Sequence, residues 1–396
     1  MSEPTQDPLD AYMKRTSARE MFRLADAYLQ AAPSGARAST VPFVVLPRFD
    51  ACIRLDAKAI RLFFAHLHRA SSWRARAFRA FLLGLAAVPR RLARSFSGVA
   101  IYDPAALYPD TDWTRVDVLL AEWQFVGVFS ESEGVVSHVL TASKYERCFR
   151  NEVEAREVMR PFVPLPETLR VEREGARGWT ESFFPNEAMQ EKRRAAFAEL
   201  QRAMCRAYTE TGDRVSLADY LTGLETLRAE RYLGGNEETS ERLQRMIAWA
   251  RGQGSCEGVG PVLIARGHGD FNLGQVLVSG DECVLIDWSE SETGLAIHDY
   301  VQSALWSYGW RDLTSPIDVP DLYPMRDELA TELAQVSPLL AIVLVLIEIG
   351  VKQHVDYNAA RGSFPAWRTL VDHALRATGD QNETAPHLRD DLPAQS

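Results

Sequence analysis

The sequence predicts an α+β fold in which a small antiparallel sheet precedes a mostly helical region. Two strand–turn–strand patterns, at 125–140 and 168–184, flank a charged helical segment at 145–159. From residue 187 onward the pattern is predominantly helical, apart from a further strand–turn–strand unit at 276–287. Grouped strands followed by runs of helices are typical of the α+β class.

The composition and charge of the chain exclude some classes of protein. The 396 residues are enough for two or three structural units, and 46% apolar and 25% charged residues are ordinary for a globular protein. A formal net charge of −10 argues against nucleic-acid binding by bulk electrostatics. The five cysteines are scattered without Cys-x-x-Cys spacing, and the N-terminus is too polar for a signal peptide. We therefore expect a cytoplasmic protein with reduced thiols. The sequence does not indicate an oligomeric state.

Residues 1–120 are expected to form an N-terminal cap or extension. A helical pattern runs through 1–32, a short β-prone run follows at 41–46, and the apolar stretch at 116–123 favours a short helix. The next predicted units are the small sheet at 121–186 and the helical region at 187–378. A polar tail at 379–396 is expected to be disordered.

A basic segment lies inside the predicted cap. Between Arg61 and Arg94 there are eight arginines and no acidic residue. Phe78, Phe81, Leu82 and Leu85 recur at helical spacing, which predicts an amphipathic helix. Three interpretations remain open: pairing with the acidic remainder of the fold, peripheral contact with an anionic membrane through 61–94, or contact with an anionic substrate.

The longest apolar run is Leu339 to Ile347, bounded by Pro338 and Glu348. A run of this length is too short to span a bilayer as a helix. It predicts a buried helix within the helical region.

The chemically informative stretch is Arg266 to Trp288. It places Asp270 in a loop, an amide side chain at Gln275 five residues later, and Asp287 at the end of the second strand. Two carboxylates and an amide oxygen are hard ligands that suit Mg²⁺, and a metal held beside a loop aspartate suits phosphoryl transfer. The same two aspartates could instead be a turn residue and a cap.

These residues resemble a known superfamily. His268-Gly-Asp270, an amide at position 275 and Ile286-Asp-Trp288 are similar to the catalytic and metal-binding segment of the aminoglycoside phosphotransferase/choline kinase-like superfamily. Most members carry Asn where this chain has Gln275, whereas maltokinase-type members share the segment Leu-Gly-Gln-Val-Leu found at 273–277. The resemblance implies a bilobal protein-kinase-like fold, with ATP and Mg²⁺ as cofactors.

The resemblance also implies roles for individual residues. Asp270 would orient the acceptor hydroxyl, and Gln275 and Asp287 would hold the metal. His268 and Asp299 would support the catalytic loop. Gln275 could either be a functional variant of the usual Asn or inactivate the site.

The ATP-binding half of the site departs from the family pattern. The family places a lysine on a strand of the small sheet and pairs it with a helix glutamate, for which Glu152 is the candidate. Counting back from Glu152 leads to His138, whereas the nearest lysine is Lys144. Three possibilities stay open: Lys144, His138 or neither residue contacts the phosphates. Backbone groups near Glu181 would bind adenine.

We therefore expect a phosphotransferase that transfers the γ-phosphoryl group of ATP to a hydroxyl of a small molecule, with a sugar-like acceptor favoured by the 273–277 segment. The alternative is a kinase-like pseudoenzyme that acts as a binding or regulatory module at a membrane or partner protein. A third possibility keeps the fold but transfers AMP. The sequence does not identify the acceptor.

Overall fold

The computed structural model describes most of the chain outside its termini. The described residues are 17–30, 41–46, 49–67, 73–88, 100–121, 124–186, 190–231, 237–254, 259–308, 322–352 and 364–379. The predicted disordered tail lies outside them from residue 380 onward.

An antiparallel sheet dominates the first half of the chain. Among the described residues, eight strands form it in the order β3-β1-β2-β4-β5-β6-β8-β7. The strands are β1 (Phe43–Leu46), β2 (Ala51–Arg54), β3 (Ala100–Tyr102), β4 (Val118–Ala121), β5 (Phe125–Ser130), β6 (Val135–Leu140), β7 (Thr168–Glu172) and β8 (Gly178–Ser182). The sheet and the helices that follow confirm the predicted α+β class, and the two predicted hairpins are β5–β6 and β7–β8.

Helices cover both faces of this sheet. On one face, α1 (Ala18–Gln30) buries an apolar side against alternate residues of the central strands. On the other face lie α2 (Ala57–Leu62), a π-helical turn (Phe63–Leu67) and α3 (Trp73–Ala87). Strands covered on both faces carry near-continuous apolar runs, as Phe43–Leu46 does.

The stretch at 116–123 corrects one expectation. Its apolar run forms β4, not a helix, and β4 pairs with β2 on one side and β5 on the other. Periodicity cannot separate a short buried strand from a short buried helix, so the error has a physical reason. The predicted boundary between 120 and 121 consequently falls inside the sheet. The division into cap, small sheet and helical region as functional domains stays a prediction.

The chain divides into two compact units. The first contains the described residues up to 213, together with 263–303 and 322–330, and the second contains the rest. Besides the sheet, the first unit contains α4 (Glu146–Met159) and α5 (Gln190–Thr211), and β9 (Asp213–Val215) lies at its boundary. After them come β10 (Val262–Arg266), β11 (Val276–Ser279), β12 (Glu282–Leu285), β13 (Thr293–Leu295), the start of α8 (His298–Tyr308), and α9 (Tyr323–Glu328).

The second unit is helical. Its helices are α6 (Leu217–Arg231), α7 (Glu237–Gly254), α10 (Ala330–Ala334), α11 (Pro338–Lys352) and α12 (Phe364–Ala377). α11 packs against α6, α7 and α12 and is buried from Leu340 to Lys352, which confirms the predicted buried helix. Its buried Glu348 accepts hydrogen bonds from Tyr220 and from Lys352.

The described parts of the basic segment, 61–67 and 73–88, are helical except for Val88. Leu82 and Leu85 of α3 are buried as predicted, but Phe81 is 41% exposed. Arg61, Arg74 and Arg76 are exposed. In the described part of the chain, no helix combines the length and apolarity that crossing a bilayer requires. Peripheral membrane contact and cytoplasmic location stay predictions.

Candidate active site

The loop between β10 and β11 carries the predicted catalytic residues. β10 pairs with β13, with Ile264 opposite Leu295, and this pair anchors the loop at its start. The chain then turns through Gly269, whose φ of +86° lies in the left-handed region. A Cβ at that position would lie 2.2 Å from the Glu290 carbonyl oxygen. Only glycine fits this close approach without displacement of the loop.

Asp299, in the first turn of α8, holds the loop by its backbone. Its carboxylate accepts hydrogen bonds from the backbone N–H groups of His268 at 2.7 Å and Gly269 at 2.8 Å. The buried Tyr208 hydroxyl also donates to Asp299. Burial, followed by the negative charge of Asp299, raises the pKa of Tyr208 well above its ordinary value, so this hydroxyl keeps its proton and remains a donor.

His268 is fully buried and forms two hydrogen bonds in this loop. Its Nε2 lies 2.9 Å from the Ile286 carbonyl oxygen, which can only accept, so Nε2 carries the proton. Its Nδ1 then accepts from the Asp270 N–H at 3.3 Å. His268 thus connects the Asp270 loop to the strand end that precedes Asp287.

Gln275 lies between the two aspartates. Its side-chain nitrogen is 3.2 Å from Asp270 Oδ2 and 3.3 Å from Asp287 Oδ2. Asn272 donates to Asp270 Oδ1 at 3.1 Å, and Ser289 donates to Asp287 Oδ1 at 2.8 Å. The structure therefore brings together the catalytic residue and the two metal ligands that the sequence predicts.

The electrostatics of this group favour a cation. Burial, followed by the charge of Asp287, raises the pKa of Asp270, although the hydrogen bonds from Gln275 and Asn272 partly oppose the shift. Two carboxylates that share one amide repel each other, and a divalent cation would relieve that repulsion.

The donor set fits a hard cation such as Mg²⁺. Asp287 and Gln275 would offer oxygen ligands, with the Gln275 amide turned so that its oxygen replaces the nitrogen. Among the described residues, no group of three or more His, Cys, Asp or Glu is arranged to hold a metal. The site therefore depends on the amide, and a bound phosphate or water would complete the coordination.

The predicted ATP-binding residues do not all come together. His138, on β6, lies face to face with Trp179 of β8 at 4.4 Å between ring centroids, and its Nε2 is 3.2 Å from Glu181 Oε1. Lys144 lies in a 3₁₀ turn before α4, exposed, with its ammonium 5.0 Å from the Tyr145 ring centroid. The structure therefore puts His138, not Lys144, on the strand position that the count from Glu152 indicates.

Glu152 has a cation partner that the sequence analysis missed. Arg156, one turn further along α4, donates from Nε to Glu152 Oε1 at 2.7 Å, and its Nη1 lies 2.5 Å from Glu181 Oε2. The i, i+4 spacing of Glu152 and Arg156 on a predicted helix was the available signal. The Glu181 side chain is buried in this pairing, and its role near adenine through backbone groups stays a prediction.

The segment after Asp287 is tied to α4. Glu292 forms an ion pair with Arg147 and accepts from Asn151 at 3.5 Å. Glu290 accepts from Gln124, in the chain segment just before β5, at 3.4 Å. These contacts fix the position of the loop that follows the second aspartate. The ion pair and the hydrogen bond hold the Glu292 carboxylate against α4.

Comparisons with known proteins give a structural likeness only. No protein-family model matches the chain, and no curated protein matches it by sequence. The structure is similar to a thermostable mutant of aminoglycoside phosphotransferase APH(4)-Ia, at 16% identity and a TM-score of 0.43, over 66% of this chain and 92% of that one. It is also similar to a choline/ethanolamine kinase family protein from Mesorhizobium loti, at 14% identity and a TM-score of 0.41, over 78% and 94%.

These neighbours carry the names of the superfamily that the sequence resembles. With identities under 25% and TM-scores under 0.5, the likeness does not by itself assign a function to this chain. The finer resemblance to maltokinase-type members stays a prediction.

Proposed function

We propose that the chain is a small-molecule kinase, which uses ATP and Mg²⁺ to phosphorylate a hydroxyl group. One observation supports the proposal most directly. Asp270 and Asp287 are held close enough for a single amide, that of Gln275, to lie within 3.3 Å of both. This arrangement matches the needs of phosphoryl transfer, in which a carboxylate orients the attacking oxygen beside a metal-bound phosphate.

Asp270 would act on the acceptor. Its burial raises its pKa, which makes the carboxylate a better proton acceptor than an exposed aspartate. The acceptor oxygen forms a bond to the γ-phosphorus while the bond from that phosphorus to the ADP oxygen breaks. The hydroxyl proton passes to Asp270 late in the step. Mg²⁺, when bound, neutralises charge on the phosphates.

The remaining loop residues would position Asp270 rather than react. Asp299 fixes the backbone at 268 and 269, and His268 holds the Asp270 N–H. Effective catalysis requires the carboxylate to be placed within a few tenths of an ångström, which such backbone anchoring supplies. A sugar-like acceptor is proposed from the resemblance of the 273–277 segment.

A metabolite screen with labelled ATP tests the proposal. Sugars, aminoglycosides and amino alcohols would be supplied with Mg·ATP, with Asp270→Ala as the blank and Asp281→Ala as a matched control. Asp281 is a fully exposed turn aspartate next to β12, so its loss should not affect turnover. A labelled product that forms equally with Asp270→Ala would refute the assignment of Asp270. The product mass distinguishes transfer of phosphate from transfer of AMP.

One observation favours a second candidate. Glu152 pairs with Arg156 rather than with a strand lysine, which departs from the expected ATP-binding pattern. This departure is what a pseudoenzyme with a binding or regulatory role would also display. Mg·ATP binding measured by calorimetry, without turnover of any acceptor in the screen, would favour that candidate over the kinase.

A further inference from the structure

A buried charge cluster occupies the region where the ATP lysine is expected. It consists of Glu152 and Arg156 on α4, Glu181 on β8 and His138 on β6. The side chains of Glu152, Arg156 and Glu181 are 2%, 4% and 6% exposed. Charged groups as deeply buried as these are stable only when they are paired, so the cluster is a single electrostatic unit.

Arg156 is the centre of the cluster. Its Nε lies 2.7 Å from Glu152 and its Nη1 lies 2.5 Å from Glu181, so one guanidinium joins α4 to β8. The Trp179 ring packs near the same guanidinium, at 5.7 Å, and its Nε1 donates to Glu181 at 3.3 Å. The planar fork of arginine suits this double pairing, which the single ammonium of lysine could not reproduce with the same geometry.

The cluster is electrostatically linked to the metal site. Burial raises the pKa of Glu152, Arg156 opposes that shift, and the negative charges of Asp287 and Glu181 add to it. Asn151, which precedes Glu152 on α4, donates to the Ser289 carbonyl oxygen at 3.4 Å, and the Ser289 hydroxyl donates to Asp287 Oδ1 at 2.8 Å, so the cluster lies beside the candidate metal site. His138 is the most exposed member of the cluster, at 15% of its side chain. Its imidazole is therefore the nitrogen-bearing side chain of this cluster that is most open to a phosphate.

We propose that two residues of this chain share the role of the strand lysine that the family pattern leads one to expect. Arg156 pairs with Glu152 and Glu181 and so positions α4 and β8, while His138 contacts the phosphates of the nucleotide. Lys144 takes no part. The proposal rests on the proposed function, because it assumes that Mg·ATP is the ligand of the site.

Variants at Lys144, His138 and Arg156 test the roles proposed for these three residues. Lys144→Gln is the matched control, since it removes the nearest lysine. Its dissociation constants for Mg·ATP and for adenosine, measured by calorimetry, should stay within about twofold of the original chain. His138→Gln should weaken Mg·ATP about tenfold and leave adenosine unchanged, because only a phosphate contact is lost.

Variants of Arg156 test whether this residue positions α4 and β8 for nucleotide binding. Arg156→Met should weaken Mg·ATP about tenfold or more, and Arg156→Lys should recover part of that loss because the charge is retained. A purely structural role would lower the thermal midpoint without changing the affinity of the folded protein. If Arg156→Met does not fold, the combination with Glu152→Gln and Glu181→Gln removes the unpaired charges, and the same weakening is expected of it.

The outcomes separate this proposal from the proposed function. A chain that binds Mg·ATP tightly but loses binding with Lys144→Gln, and not with His138→Gln, overturns the proposed sharing of roles while the kinase proposal stands. Equal affinity in Arg156→Met and the original chain overturns the positioning role. An unsubstituted chain that does not bind Mg·ATP overturns both proposals together.

Discussion

At the scale of single residues, Asp270 combines two properties that usually oppose each other. Its environment disfavours its charge, since burial and Asp287 raise its pKa, yet its proposed role as a proton acceptor requires that charge. We expect Asp270→Asn to lower phosphoryl transfer by about 100-fold or more, because the proton acceptor is lost. The metal-free variant should be at least as thermally stable, because the repulsion from Asp287 is removed.

Initial rates with labelled ATP and thermal midpoints without Mg²⁺ would measure both effects of Asp270→Asn. Asp281→Asn is the control for adding an amide at an exposed turn. A variant that loses stability in parallel with activity would indicate that Asp270 serves the fold and not the reaction.

Gly269 permits the close approach of the catalytic loop to the segment after Asp287. A methyl group at Gly269 would meet the Glu290 carbonyl, whereas one at Gly280, which also has a positive φ, meets nothing within 4 Å. Gly280→Ala should therefore cost about 1 kcal/mol in free energy of unfolding from backbone strain alone. Gly269→Ala should cost about 3 kcal/mol or more, because the steric clash is added to the strain. Urea unfolding would measure the loss in free energy of unfolding for both variants, and the difference between the two losses gives the cost of the steric clash. Equal losses would contradict a clash at Gly269.

At the scale of elements, the candidate catalytic segment was predictable because its residues are close together in the sequence. Asp270 and Gln275 lie in the loop just before β11, and Asp287 follows β12, so the single β11–β12 hairpin brings the three residues together. Arg156 and Glu181 are far apart in the sequence, and they form an ion pair because β8 pairs with β6 beside α4. Long-range packing determines that arrangement. The same dependence on partners explains β4, whose apolar run becomes a strand between β2 and β5. The periodicity of apolar residues in a sequence reports local structure, so it predicts neither the Arg156–Glu181 ion pair nor the pairing of β4 with β2 and β5.

The α3 helix supports a prediction about membranes at this scale. Arg74 and Arg76 are exposed near its N-terminus, and Phe81 is exposed further along. Cationic and aromatic side chains together favour binding to anionic lipid surfaces. We expect cosedimentation with phosphatidylglycerol vesicles that weakens with salt, and no binding to phosphatidylcholine vesicles.

The double variant Arg74→Glu/Arg76→Glu should reduce this vesicle binding about tenfold or more, because each basic residue near the surface contributes about 1 kcal/mol. Arg206→Glu, an exposed arginine of α5, is the matched control. Equal loss of binding in the control would assign the effect to net charge and not to α3.

At the scale of the whole molecule, the division into two compact units predicts which parts of the chain nucleotide binding should stabilise. Every residue proposed to bind Mg·ATP belongs to the first unit, which holds the sheet, α4 and the 263–303 segment. The second unit has its own core around α11, with the buried Glu348 bonded to Tyr220 and Lys352. A ligand stabilises the structure that it contacts, and separate cooperative units need not share that gain.

Hydrogen exchange with and without the non-hydrolysable nucleotide AMP-PNP and Mg²⁺ would test this prediction. Peptides from 125–182 and 263–303 should gain protection, by up to about 2.7 kcal/mol at a ligand concentration 100 times the dissociation constant. Peptides from α6 and α11 should be unchanged. Asp287→Ala, which removes a proposed metal ligand, should abolish the gain in the first unit. Equal protection across both units would mean that they open as one cooperative structure, so that the second unit shares the free energy of nucleotide binding.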